Sequence, residues 1–378
     1  MKDIRYTKLA NQMVNYSIDV KKGENVLIEF TGYNDYFARE LIRAVYKAGA
    51  NPFFLQTSGL VQSAWLEHAD QKSIELQAKW DKSRLEDMDA YIAIRISDNI
   101  YEMANISPDQ MDLFFSHYEN PVHMKTRVLK TKWLVTRFPN DSLAQLANMS
   151  TEDFEDFYFN CCCLDYKKFS SYMDPLVDLM AKTKKVKIKG ENVDLSFSIE
   201  GIDIAKCDGI HNLPDGEVFT APIPDSVNGY IQYNTPSPYA GQVFDDVKLE
   251  FENGKIVSAT LGGNYSEEIE SIFNTDPGAR YIGEFALGLN PFITNTLQDI
   301  LFDEKVSGSF HFTPGNGCPD ADNGNRSAIH WDLVYLTSEE HGGCEIYFDD
   351  MLIQKNGIFL LGDLKALNPD NLKTKLQL

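Results

Sequence analysis

The segment Ser327-Ala328-Ile329-His330-Trp331-Asp332-Leu333-Val334 restricts the fold more than any other stretch of this chain. Its large apolar residues, Ile329, Trp331 and Leu333, fall at every second position. Only extended backbone places successive side chains on opposite faces, so the pattern predicts a β-strand with one face in a core. The other face then carries Ala328, His330 and Asp332. An imidazole and a carboxylate held side by side on a rigid element supply the nitrogen and oxygen donors that a divalent metal takes. Such pairs are also common as plain surface or hydrogen-bonded pairs, so the pair alone does not decide the matter.

Two upstream regions add to it. The segment from Asp303 to Phe312 ends in a second alternating strand, with Phe310 and Phe312 on one face and Ser309 and His311 on the other. Before it, Tyr281-Ile282-Gly283-Glu284-Phe285-Ala286-Leu287-Gly288 sets a glutamate in apolar surroundings between glycines. Earlier still, Pro214-Asp215-Gly216-Glu217-Val218-Phe219 does the same for Glu217. A buried carboxylate is costly unless it is paired or bound to a metal. Several of them in one half of a chain are most simply explained by a shared cation. Salt bridges to Arg280, Lys305 or Arg326 are the alternative.

Taken in order, Asp-Gly-Glu-Val, Gly-Glu-Phe-Ala-Leu-Gly, Asp-Glu-Lys followed by His311, and His-Trp-Asp resemble the M29 family of metalloaminopeptidases, the thermophilic aminopeptidase T group. The resemblance spans nearly the whole chain. It takes in Gly23-Glu24-Asn25-Val26-Leu27-Ile28, Phe154-Glu155-Asp156-Phe157-Tyr158-Phe159 and Leu164-Asp165-Tyr166. It implies two divalent ions (Zn, Co or Mn) held by Glu217, Glu284, His311, His330 and Asp332, with Glu304 as a further metal ligand or the catalytic acid/base residue. It also implies peptide substrates with a free N-terminus and a homodimer. One position departs from the pattern. Family members commonly carry a tyrosine seven residues after the equivalent of His311, where this chain has Cys318 in a Gly/Pro-rich loop. A thiol is a poorer hydrogen-bond donor than a phenol. Another group could take the tyrosine's role, turnover could be slow, or the loop could be misaligned.

Other chemistries fare less well. A dinuclear hydrolase of another bond (carboxypeptidase, amidase or phosphoesterase) would use the same ligand types, with Arg280, Lys305 or Arg326 available for an anionic group. The loop Asp320-Ala321-Asp322-Asn323-Gly324-Asn325 invites a non-enzymatic calcium module, but an EF-hand needs glycine at the sixth position and an acid at the twelfth, here Asn325 and Trp331. There is no Gly-x-Ser-x-Gly and no phosphate-binding glycine loop. A net charge of −21 argues against a nucleic-acid surface. No apolar run reaches the length of a membrane span, and the N-terminus lacks an apolar signal core, so a cytoplasmic location is expected. Six cysteines in a cytosolic chain of 378 residues make no disulfide framework, and Cys161-Cys162-Cys163 reads as part of a packed helix.

The fold expected is α/β. An N-terminal domain, residues 1–184, alternates strands (Asn25–Phe30, Asn51–Leu55, Ala90–Ile96, Lys132–Thr136) with helices, giving a parallel or mixed sheet. Asn34 or Asp35 can cap a helix carrying Phe37, Leu41, Ile42, Val45 and Tyr46 and stopping at Gly49. After Lys182-Thr183-Lys184-Lys185 short alternating strands take over, with Asn253-Gly254 as a hairpin turn. Residues 185–378 therefore read as a β-rich α+β domain that holds every proposed metal ligand.

Overall fold

Four parallel strands, β1 (Asn25–Thr31), β2 (Asn51–Thr57), β3 (Ala90–Arg95) and β4 (Lys132–Arg137), form the first sheet, in the order β2-β1-β3-β4. A two-residue strand, Asn212–Leu213, adds in parallel to β4. Each register keeps consecutive strands level, as in Val26 opposite Pro52 and Ala90. Val26, Ile28 and Phe30 are fully buried on one face, where Phe30 meets Phe37. Phe37 lies on the helix Asp35–Lys47, whose N-terminus is capped by the Asn34 side chain, accepting the Phe37 N–H at 3.0 Å. A left-handed Gly49 follows the helix, as expected.

A computed structural model describes residues 3–239 and 241–376. The chain divides into two units. The first runs to Cys163 and takes in Gly209–Leu213; the second comprises Leu164–Asp208 and the chain from Pro214 onward. The division thus falls some twenty residues before the expected position at 184, because the helix Tyr166–Met180 belongs with the second unit. There Tyr166 donates to, and accepts from, the backbone of Asp215, and Lys168 reaches the Lys375 carbonyl. Among the described residues no helix is long and apolar enough to cross a membrane.

The second unit is built on two antiparallel sheets. One has nine strands, with the hairpin Val247–Glu252 and Lys255–Leu261 turning through left-handed Asn253 and Gly254. The other has five, in the order Val334–Tyr335, Phe310–Pro314, Ile282–Gly288, Glu217–Thr220 and Ala205–Cys207. Their apolar faces meet through Phe197 of the large sheet, whose ring lies 5.1 Å from Phe285 and 5.0 Å from Phe312 of the small one. All three are fully buried, so the small sheet is anchored on one face and its other face is left for polar work.

Phe197→Ala should cost about 3–5 kcal/mol of stability, the usual loss for emptying a buried aromatic site. Chemical denaturation checks it; an unchanged midpoint would mean that the two sheets do not depend on this contact.

Candidate metal centre

The register of the small sheet gathers the polar residues. On the central strand Glu284, Ala286 and Gly288 share a face, because side chains alternate. Gly288 lies opposite Glu217, Ala286 opposite both Phe219 and His311, and Glu284 opposite Thr313. Glu217, Glu284, His311 and Thr313 therefore stand on one face, and Val218, Phe285, Leu287, Phe310 and Phe312 on the packed one. The small residues leave room in front of the sheet. A Cβ on Gly288 would meet the Val306 carbonyl at 2.2 Å, so only glycine lets the segment Glu304–Val306 close over the cluster.

His330 and Asp332 arrive on the neighbouring segment. Its alternation holds: Ile329, Trp331 and Leu333 are buried, and His330 and Asp332 face the cluster. The expected strand over 327–334 is not sustained, however. Regular pairing is confined to Val334–Tyr335 and to a bridge between His330 and Gly315. Trp331 donates its N–H to the Pro314 carbonyl, and Pro314 has no N–H to return. The segment is extended but half-laddered. Asn325 fixes the preceding turn by donating to the carbonyls of Gly278 and Gly315, so the Asp320–Asn325 loop is a structural turn.

All six residues proposed from the sequence converge here. His311 Nε2 lies 2.9 Å from Glu284 Oε1 and 3.8 Å from Glu217 Oε2. His330 Nε2 lies 3.1 Å from Asp332 Oδ1 and 3.8 Å from Glu284 Oε2. Glu304 sits at the edge, joined to the cluster through Lys305 at 2.9 Å. Three overlapping sets have donor atoms close enough to share one ion: Glu217, Glu304 and His311; Glu284, His311 and Asp332; and Glu284, Cys318 and His330. Supporting contacts orient them. His330 Nδ1 bonds the Asn316 carbonyl at 2.9 Å, which turns Nε2 toward the carboxylates. Thr313 donates to Asp332 Oδ1 at 2.8 Å.

Two residues that the sequence did not count among the ligands join the site. Lys305 was visible only as a salt-bridge partner, and it lies fully buried against Glu217 at 2.5 Å, Glu304 at 2.9 Å and Asp215 at 3.5 Å. The other two cations named with it are spent elsewhere, Arg280 on Glu270 and Arg326 on Asp322. Cys318 does sit at the centre. Its thiol donates to Glu284 Oε2 at 2.9 Å, so the Gly/Pro-rich loop reaches into the site.

The electrostatics are those of crowded negative charge in a dry place. Burial pushes the Glu304 carboxyl up to about 8 against the pull of Lys305. Burial works to lower His330, but Asp332 and Glu284 outweigh it and hold the imidazole at about 10. Burial likewise opposes a charged His311, yet its bond to Glu284 and the Glu217 charge keep it near 9. The same crowding raises the Cys318 thiol, first through burial and then through Glu284. Protons are thus drawn to the positions where a cation would sit. The residues fit a divalent cation on a second observation: Glu217 Oε2 and His311 Nδ1 are buried with no hydrogen-bond partner among the described residues.

A sheet-borne cluster of carboxylates and imidazoles has the donors of a metal centre, and the comparisons name the class. The sequence matches the thermophilic metalloproteases (M29) over residues 2–355, and the chain belongs to that family of peptide hydrolases. Aminopeptidase PepS of Streptococcus thermophilus is 24% identical, over 86% of this chain and 91% of that protein. Aminopeptidase T of Thermus aquaticus is 34% identical, over 34% of this chain and 35% of that one. Among solved structures, wild-type AmpT from Thermus thermophilus superposes with a TM-score of 0.80 at 19% identity, covering 95% of this chain and 99% of its own. A 2,5-dihydroxypyridine dioxygenase from Pseudomonas putida KT2440 follows at 0.59 and 14%, covering 95% and 98%.

Lys305→Met should destabilise the second unit by about 3 kcal/mol or more, because it strands buried carboxylates without their cation. Denaturation in the presence of chelator measures it. Unchanged stability would show that Lys305 does not hold Glu217 and Glu304 together.

Proposed function

We propose that this protein is a metal-dependent aminopeptidase that removes N-terminal residues from peptides at a dinuclear centre held by Glu217, Glu284, His311, His330 and Asp332, with Glu304 at its edge. The observation that carries this reading is the charge count of the cluster. Five carboxylates (Asp215, Glu217, Glu284, Glu304 and Asp332) face one ammonium, Lys305. Once cations displace the protons that His311, His330 and Glu304 otherwise hold, a surplus of four negative charges remains, which is what two divalent cations would balance. Three overlapping donor sets that share Glu284 and His311 agree with ions placed side by side. Bound there, such ions supply Lewis acidity toward a scissile carbonyl and a water acidic enough to ionise near neutral pH.

The chain's own residues do the rest. Lys305 holds Glu304 through one oxygen, which fixes the carboxyl while leaving the second oxygen to move a proton to the departing amine. The carboxylate oxygens of the cluster can accept hydrogen bonds from a peptide's free terminal amine. Cleavage of a phosphoester or beside a C-terminal carboxylate would instead want a free guanidinium nearby. Arg280 and Arg326 are engaged with Glu270 and Asp322, and Lys305 is enclosed, so this second reading lacks its cation.

Chelation is expected to abolish release of N-terminal residues and Zn, Co or Mn to restore it. An N-acetylated peptide should resist; equal cleavage of free and acetylated peptides excludes an aminopeptidase. His330→Ala and Asp332→Ala should lose metal and activity together with the fold intact, measured by elemental analysis and circular dichroism. Glu304→Gln should lower kcat more than metal content, and loss of a full metal equivalent would make it a primary ligand.

Cys318 has its own test. The family tyrosine's hydrogen bond is of the kind worth roughly a hundredfold in rate. Cys318→Tyr should raise kcat with little change in KM, and Cys318→Ala should keep its metal and cost little. Loss of metal in Cys318→Ala would make the thiol a ligand.

A further inference from the structure

The first unit contains a cavity of about 550 Å³, within the range of small-molecule sites. Its position follows from the strand order. From β1 the chain steps to β2 on one side, then crosses to β3 on the other. Open parallel sheets bind ligands beyond the carboxyl ends of the strands where connections diverge in this way. Glu29 and Thr31 of β1, Thr57 of β2 and Arg95 of β3 line the cavity at those ends. Deeper along the same face, Leu27, Tyr91 and Ala93 pack against the helix Gln71–Glu86.

The lining is polar where packing alone would call for apolar residues. Parallel strands covered on both faces read as continuous apolar runs, and Glu29 interrupts Val26-Leu27-Ile28 and Phe30. Asp81 is satisfied, accepting from Arg84, Gln77 and Tyr118. Three other charges on its lining, Arg95, Glu29 and Glu119, make no ion pair within 4.0 Å among the described residues, and Glu29 shares a hydrogen bond with Tyr91. Burial raises the carboxyls of Glu29 and Glu119 against the pull of Arg95 on both. His123 adds no charge, since burial lowers it to about 4. Val61, Trp65 and Phe114 supply an apolar wall.

We propose that this cavity binds a free α-amino acid with an apolar side chain. Arg95 takes the carboxylate, Glu29 and Glu119 the ammonium, and Trp65 and Phe114 the side chain. One guanidinium beside two unpaired carboxylates matches a zwitterion better than a simple anion, and the apolar wall gives the side chain somewhere to go. All the lining residues belong to the first unit, and none of them is among the residues of the metal cluster.

Isothermal titration calorimetry of the full chain with L-phenylalanine and L-leucine, in chelator, tests it. N-acetyl-L-phenylalanine and L-phenylalanine amide each lack one charge and should bind at least tenfold more weakly. Arg95→Gln and Glu29→Gln should each weaken L-phenylalanine at least tenfold, with circular dichroism unchanged. His330→Ala should leave binding as it is. Three results overturn the proposal: no binding of either amino acid, equal affinity for the blocked analogues, or binding lost in His330→Ala and kept in Arg95→Gln.

Discussion

The second unit depends on a buried excess of negative charge. Glu217 and Glu284 are buried on the face of a sheet whose reverse is a dry aromatic core. Carboxylates in that position cannot be left alone, because the cost of desolvating each exceeds what ordinary hydrogen bonds return. Lys305 offsets part of it from the front, and the imidazoles of His311 and His330 approach from the sides. What remains uncompensated is an affinity for cations. The property that makes the cluster expensive to fold is the one that gives it chemistry.

Geometry follows from the pleat. A period of two sends every second residue of Ile282–Gly288 forward, and the antiparallel register brings Glu217 and His311 alongside without any long-range adjustment. A slip of one residue would turn Glu284 into the core and Phe285 into the site. Phe285 and Phe312 against Phe197 therefore hold the donors in place as well as stabilising the unit. Gly288 is the complementary device, since a side chain there would keep Glu304 and Lys305 from reaching the sheet.

What was legible in the sequence was what period and apolar content encode. The alternating strands of both units, the Asn34 cap and the Asn253-Gly254 turn all lie where pattern and turn chemistry place them. So does the burial of Ile329, Trp331 and Leu333, although the ladder around His330 fails because Pro314 cannot donate. Lys305 as a member of the cluster was not legible. The sequence offered it only as one of three candidate salt-bridge partners, with Arg280 and Arg326, and the close approach over Gly288 is what sets it apart from them. The boundary near 184 marked a change of composition, whereas the helix Tyr166–Met180 is assigned by what it packs against. The cavity of the first unit left one trace in the sequence, a glutamate inside a parallel strand, and its other walls come from helices far apart in the chain.

The fold by itself does not choose a reaction. A dioxygenase superposes over 95% of this chain, so the same arrangement of sheets serves another chemistry in that protein. The choice rests with the donors on the sheet face and with what stands beside them. Here the donors are mostly hard carboxylate oxygens, with two imidazoles and one thiol held off as a proton donor to Glu284. No guanidinium is free beside them to receive a second anion, because Arg280 and Arg326 already have carboxylate partners. An acidic pocket of this kind distinguishes substrates by the charge they bring. An anionic end meets carboxylates with no free guanidinium among the described residues, which costs it affinity. Discrimination against an anionic end therefore follows from the missing guanidinium, while the surplus of negative charge is what the proposed metal ions would take up.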